Sequence, residues 1–121
     1  MKRRVVLAGL GLPWLGLPSV ARAEAAPAVD AAAALRRGGV AVLLRHAATE
    51  PGIGDPPGFR LDDCATQRQL SEQGRAQSQR IGAWFSARGL APAEVRSSAW
   101  CRCLDTATLA FGRARAWTAL N

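Results

Sequence analysis

Runs of apolar residues alternate with polar stretches along the chain and predict helices and strands in turn. Residues 40–45, VAVLLR, are apolar up to their final arginine and rich in valine and leucine, which is typical of a strand buried on both faces. A short helix at 31–37 precedes this strand, with Asp30 as a suitable N-cap and a glycine pair at its end. Residues 50–58 are rich in proline and glycine and predict a loop.

A longer amphipathic helix follows this loop. Ser71 is a suitable N-cap, and the helix extends to Arg88 and ends at Gly89. Small residues on its buried side would let its backbone lie close to a sheet. The residues on that side are Leu70, Gly74, Ser78, Ile81, Trp84 and Phe85.

A second strand is predicted at 93–98, AEVRSS, and a third helix from about Ala99 to Phe111, capped by the serine pair. The buried stripe of this helix comprises Trp100, Leu104, Ala107, Thr108 and Phe111. The tail RARAWTALN is the start of a possible third strand. Strands that alternate with helices predict an α/β fold with a parallel sheet, in which ligands bind beyond the carboxyl ends of the strands.

The first 23 residues have the pattern of a signal peptide: a basic head, an apolar middle and an Ala-Arg-Ala ending near Ala23. Prolines and glycines interrupt this stretch, which is already short for a membrane anchor. Cleavage would remove four of sixteen basic residues, so that the net charge falls from +7 to +3. We therefore expect a periplasmic or secreted protein that has no stable membrane anchor and does not bind nucleic acid.

The chain has three cysteines, Cys64, Cys101 and Cys103, and an oxidising compartment would favour one disulfide. Cys101 and Cys103 are too close in sequence to pair easily, so Cys64 is expected to pair with either of them. The cysteines do not have the spacing of a zinc ribbon, and no metal is predicted.

The two predicted strands end in residues that suit phosphate chemistry. Arg45 and His46 close the first strand, and Arg102 follows the second near a helix start. Guanidinium groups bind phosphate oxygens in pairs, and they also disfavour the imidazolium form, which keeps a histidine available as a nucleophile. A cation such as Arg45 at the end of a buried strand would itself need a partner or a ligand.

Structural alternatives exist for these residues. His46 could be a hydrogen-bonded histidine at a strand end, and Arg102 could pair on the surface with Asp105. Four loop carboxylates could protonate a leaving group or simply serve as loop residues, and they are Glu50, Asp55, Asp62 and Asp63.

Three motifs, in order along residues 40–107, resemble those of the histidine phosphatase superfamily, which includes phosphoglycerate mutases and acid phosphatases. LLRHAATE is similar to the Arg-His-Gly-x-Thr signature. QLSEQGRAQSQRIGAWF is similar to the Leu-Ser/Thr-x-x-Gly-x-x-Gln-Ala helix, and VRSSAWCRCLDTA to the Ser-Ser-x-x-x-Arg-x-x-x-Thr-Ala element. The resemblance implies a three-layer α/β/α fold with a mostly parallel sheet, truncated here after the second or third strand.

The same resemblance implies roles for individual residues. His46 is the phosphorylated nucleophile, Arg45 and Arg102 bind phosphate, and Thr49 shapes the phosphate loop. Ala47 stands where the family usually has glycine. The implied substrate is a phosphorylated small molecule or a phosphoprotein, with no cofactor.

One departure from the family pattern concerns a second histidine, in a His-Gly element, and a carboxylate acid. His46 is the one histidine of the chain, so the second histidine has no counterpart, and no carboxylate can be assigned as the acid. Two interpretations follow. Residues 24–121 form an incomplete histidine phosphatase domain of an exported enzyme with weak or no turnover, or they form a phosphate-binding or interaction module without catalysis.

Overall fold

The computed structural model describes residues 30–52 and 54–121, so the predicted signal peptide lies outside the described residues. Helices and two short strands alternate along the chain, together with 3₁₀ turns at 64–66 and 118–120. The elements in chain order are α1 (Ala31–Arg37), α2 (Glu72–Ser86), β1 (Arg96–Ser97), α3 (Cys101–Phe111) and β2 (Arg115–Ala116). In the described part of the chain, no helix is both long and apolar enough to span a bilayer.

The predicted N-caps of α1 and α2 and the glycine end of α1 are confirmed, whereas α2 ends at Ser86 and not at Arg88 as predicted. The Asp30 carboxylate accepts a hydrogen bond from the Ala33 amide at 3.0 Å, and Gly38 ends α1 with a positive φ of 73°. The Ser71 hydroxyl accepts the Gly74 amide at 3.1 Å and caps α2. Each cap satisfies an amide that lacks a partner within the helix.

The small residues of α2 allow close backbone contacts, but not with a sheet as predicted. A Cβ atom on Gly82 would lie 2.0 Å from the Ala110 carbonyl oxygen of α3, and one on Gly74 would lie 1.8 Å from the Ala48 carbonyl oxygen. Helix α2 therefore packs directly on α3 and on the segment after His46. Aromatic rings extend the α2–α3 contact, with the Phe85 and Phe111 centroids 5.1 Å apart.

β1 and β2 pair in parallel on either side of α3, with Arg96 opposite Arg115. The Trp117 amide donates to the Ser97 carbonyl at 2.7 Å and extends the ladder. The predicted parallel sheet is thus confirmed in its coarse form, as a mixed α/β structure with a two-stranded sheet. Helix α3 starts two residues later than predicted, and the serine pair provides no side-chain cap for it. Its buried threonine is Thr106, whereas Thr108 is exposed.

The prediction of a buried strand at 40–45 is wrong for this structure. These residues belong to no strand, and the side chain of Leu43 is 86% exposed. The described β-strands pair only with each other, so none of them covers the apolar run. Arg45 is exposed as well, which means that water can hydrate its charge and the expected need for a buried partner does not arise.

Candidate functional site

His46 is half-buried at the end of the apolar segment, and its ring is held by its own neighbour. The ring nitrogen Nδ1 lies 2.8 Å from the Ala47 carbonyl oxygen. A carbonyl oxygen can only accept a hydrogen bond, so Nδ1 must carry the proton. In the neutral ring the lone pair is then on Nε2, which is the nitrogen that could attack an electrophile.

A buried threonine joins the segment after His46 to α3. The Thr106 hydroxyl accepts the amide hydrogen of Ala47 at 3.0 Å and donates to the Arg102 carbonyl oxygen at 2.6 Å. Both Ala47 and Thr106 are buried. One hydroxyl group therefore connects the residue after His46 to the helical turn that carries Arg102.

Helix α2 holds the same segment from its other side. The Ala48 amide donates to the Gln77 side-chain oxygen at 3.1 Å, and the Ala48 carbonyl accepts the Ser71 amide at 3.1 Å. Thr49, the predicted phosphate-loop residue, forms an antiparallel bridge with Leu70. The backbone of residues 47–49 is thus bound to both long helices, which gives His46 a defined position.

Arg102 forms an ion pair with Asp55, and not with Asp105 as the structural alternative held. Its Nη1 lies 2.9 Å and 3.2 Å from the two carboxylate oxygens, and both side chains are only 12% exposed. Asp105 instead lies 3.9 Å from Arg75. The guanidinium of Arg102 also stacks on Trp100, with 4.4 Å from Cζ to the ring centroid. These contacts hold Arg102 at the start of α3.

Asp55 is held as a carboxylate anion. The backbone amide of Arg68 donates to its Oδ1 at 2.9 Å, and this hydrogen bond is the largest cause of a pKa below the ordinary value of 3.8. The charge of Arg102 and its hydrogen bond to Asp55 lower the pKa further, against the opposing effect of burial. An ionised Asp55 cannot protonate a leaving group, so its role in the structure is to position Arg102.

The other loop carboxylates differ in their surroundings. Asp62 pairs with the Arg60 guanidinium at 2.8 Å, and this hydrogen bond lowers the pKa of Asp62. Asp63 caps the 3₁₀ turn by accepting the Ala65 amide at 3.2 Å. Glu50 is exposed, and its carboxylate forms no hydrogen bond or ion pair within the part of the chain that the structure describes.

A disulfide joins the loop to the start of α3. Cys64 pairs with Cys101, with the Cα atoms 5.6 Å apart, which confirms the expectation that Cys64 bonds to one of the two later cysteines. Cys103 is a free, half-buried thiol. The Gln67 side chain adds a second connection, because it accepts the Cys101 amide at 2.9 Å. The loop that carries Asp55 is therefore anchored next to Arg102.

The structure connects two of the predicted site residues, His46 and Arg102, but not Arg45. The contacts through Thr106 tie the segment at His46 to the turn of Arg102, whereas the exposed Arg45 takes part in no hydrogen bond or ion pair among the described residues. Sequence reasoning treated Asp55 as one of four equivalent carboxylates and did not single out Arg68. The sequence spacing between Asp55 and Arg102 gave no signal that the two residues pair. Thr106 could have been found from the sequence, because it is the threonine of the Thr-Ala element.

Comparison of the chain with protein-family models, with curated proteins and with solved structures finds no match. Within the described residues, no group of three or more histidine, cysteine, aspartate or glutamate side chains is placed to hold a metal ion. The site is therefore defined by its own geometry: an imidazole whose Nε2 forms no hydrogen bond to any described residue, and an arginine paired with one carboxylate. One threonine connects the segments that carry them.

Proposed function

We propose that the chain is an exported phosphohydrolase of histidine phosphatase type. His46 accepts the phosphoryl group, and Arg45 and Arg102 bind phosphate, with residues 24–121 as part of a three-layer α/β/α domain. Three ordered motifs resemble that superfamily, and the Cys64–Cys101 disulfide agrees with a periplasmic or secreted location. The substrate is a phosphorylated small molecule or a phosphoprotein.

The observation that carries this proposal is the hydrogen bond from His46 Nδ1 to the Ala47 carbonyl oxygen. It leaves the Nε2 lone pair available for attack on phosphorus. In the proposed reaction a bond forms between Nε2 and phosphorus while the bond from phosphorus to the leaving oxygen breaks. Arginine side chains stabilise the negative charge that spreads over the phosphoryl oxygens.

Water then attacks the phosphohistidine, the bond between nitrogen and phosphorus breaks, and inorganic phosphate leaves with His46 restored. The departing oxygen takes its proton from solvent, because Asp55 is ionised and paired with Arg102. Leaving groups that are stable as anions should therefore react fastest. Aryl phosphates are expected to phosphorylate His46 more readily than alkyl phosphates.

The test is to incubate the chain with p-nitrophenyl phosphate, quench at high pH, where phosphohistidine survives, and locate the phosphate by mass spectrometry. We expect an acid-labile phosphate on His46. His46→Asn removes the nucleophile and serves as the negative control. Arg75→Gln changes an exposed arginine on α2 outside the proposed site and should leave the adduct on His46 unchanged. A folded wild-type protein that carries no phosphate on His46 would contradict the proposed catalysis.

The second candidate function is a phosphate-binding or interaction module without catalysis. The observation that favours it is the presence of a single histidine in the chain, where the resemblance implies two. This candidate predicts saturable binding of phosphate with neither release of p-nitrophenol nor an adduct on His46. The same experiment, combined with a binding titration, thus separates the two functions.

A further inference from the structure

Two arginines, Arg68 and Arg102, contact the Asp55 carboxylate through different groups. Arg102 binds its carboxylate through Nη1 at 2.9 Å, and Arg68 contacts the same oxygen through its backbone amide. The positive charge of the Arg68 side chain also acts on Asp55 and helps to lower its pKa. Among the described residues the Arg68 guanidinium itself makes no hydrogen bond to this carboxylate.

Both arginines keep a buried N–H group that no protein atom accepts. In the described residues these two groups, Arg68 Nε and Arg102 Nε, are the buried side-chain polar atoms without a hydrogen-bond partner. A buried donor that lacks a partner is destabilising, more so when it belongs to a charged group. The two donors belong to the two arginines that contact Asp55, Arg102 through Nη1 and Arg68 through its backbone amide, and an anion bound beside that carboxylate would bring them an acceptor.

The charges around Asp55 point to the kind of anion. One carboxylate neutralises one of the two arginines, so Arg68 and Arg102 together retain one positive charge. The exposed Arg45 is the third cation of the proposed site. Two net positive charges match a phosphate dianion, whereas without Arg68 the site would retain one positive charge and would suit a monoanion.

We propose that Arg68 is a further phosphate-binding residue, which acts beside Arg102 and makes the site selective for phosphate in its dianionic form. This inference rests on the proposed phosphate site at Arg102 but does not require catalysis. Arg68 lies in the loop between residues 50 and 70, which the disulfide and Gln67 hold against the start of α3. Its position is therefore set by the same contacts that position Asp55.

The experiment is a calorimetric titration of the full chain with inorganic phosphate, in the wild type and in Arg68→Gln, Arg68→Lys and Arg102→Gln. Arg60→Gln is the matched control, because Arg60 is in the same loop but is exposed and paired with Asp62. We expect Arg68→Gln to weaken binding by about tenfold or more, the loss of one charge-assisted hydrogen bond. Arg68→Lys should recover part of the affinity, and Arg60→Gln should leave it unchanged.

A pH series separates a binding role from a structural one. Wild-type affinity should rise with pH as phosphate loses its second proton, and Arg68→Gln should flatten this rise because a site with one fewer cation gains less from the dianion. A purely structural role would lower the unfolding temperature without phosphate and leave the shape of the pH profile unchanged. That result would overturn the assignment of Arg68.

The outcomes also separate this inference from the proposed function. Wild-type affinity in Arg68→Gln, combined with weakened binding in Arg102→Gln, would overturn the role of Arg68 and keep the phosphate site. No phosphate binding by the wild type would overturn both. If Arg68→Gln does not fold, the wild type is modified with the arginine reagent phenylglyoxal in the presence and absence of phosphate. Slower modification of Arg68 but not of Arg60 in the presence of phosphate supports the inference. An equal rate of modification of Arg68 with and without phosphate overturns it.

Discussion

Replacing Asp55 with asparagine tests whether the ion pair with Arg102 organises the site. Asparagine keeps an oxygen that can accept the Arg68 amide, so the substitution removes mainly the charge. Breaking a fully buried ion pair costs about 3–5 kcal/mol, and exposed pairs contribute about 0–1 kcal/mol. Because both side chains are 12% exposed, we expect Asp55→Asn to lower the free energy of unfolding by about 2–3 kcal/mol at neutral pH.

The effect of Asp55→Asn should depend on pH in a defined direction. The pKa of Asp55 is lowered from 3.8, first by the Arg68 amide hydrogen bond and then by Arg102. A carboxyl group whose pKa is lower in the folded state stabilises the fold fully above its unfolded pKa, and this contribution is lost as the pH falls through the folded value. The difference between wild type and variant should therefore be full near neutral pH and shrink below about pH 4.

Urea unfolding followed by tryptophan fluorescence measures both quantities, since Trp100 stacks on the Arg102 guanidinium. Asp62→Asn is the matched control. Asp62 is also paired with an arginine in the same loop, but its side chain is 72% exposed, and we expect no measurable change. Equal stability of Asp55→Asn and wild type at neutral pH would refute the reasoning, as would a difference that grows on acidification.

Two further predictions concern the packing that supports the site. Gly82→Ala should destabilise by about 1–3 kcal/mol, because the clash of its Cβ with the α3 backbone exceeds the helix-propensity gain of about 0.5–1 kcal/mol; a more stable variant in urea would contradict this packing. Thr106→Val should cost about 1–3 kcal/mol, since the buried Ala47 amide loses its acceptor. It should also reduce phosphorylation of His46 in the mass-spectrometric assay, and wild-type values in both measurements would disprove the role of Thr106.

The sequence alone predicted the helices well, because their signals are local. The Asp30 and Ser71 caps each act on an amide three residues away, and a glycine follows α1 and α3 at the expected position. Redox compartment and chain geometry also limited the disulfide to Cys64 and one of two partners, of which the structure shows Cys101. These inferences needed no knowledge of the rest of the fold.

Tertiary structure decided which distant groups meet. Asp55 and Arg102 are 47 residues apart, and Ala47 and Thr106 are 59 apart, so no periodicity could pair them. The apolar run at 40–45 shows the same limit in the opposite direction. The hydrophobic pattern indicates which residues would stabilise the fold if they were buried. Burial also requires another part of the structure to pack on them, and none of the described strands pairs with this run.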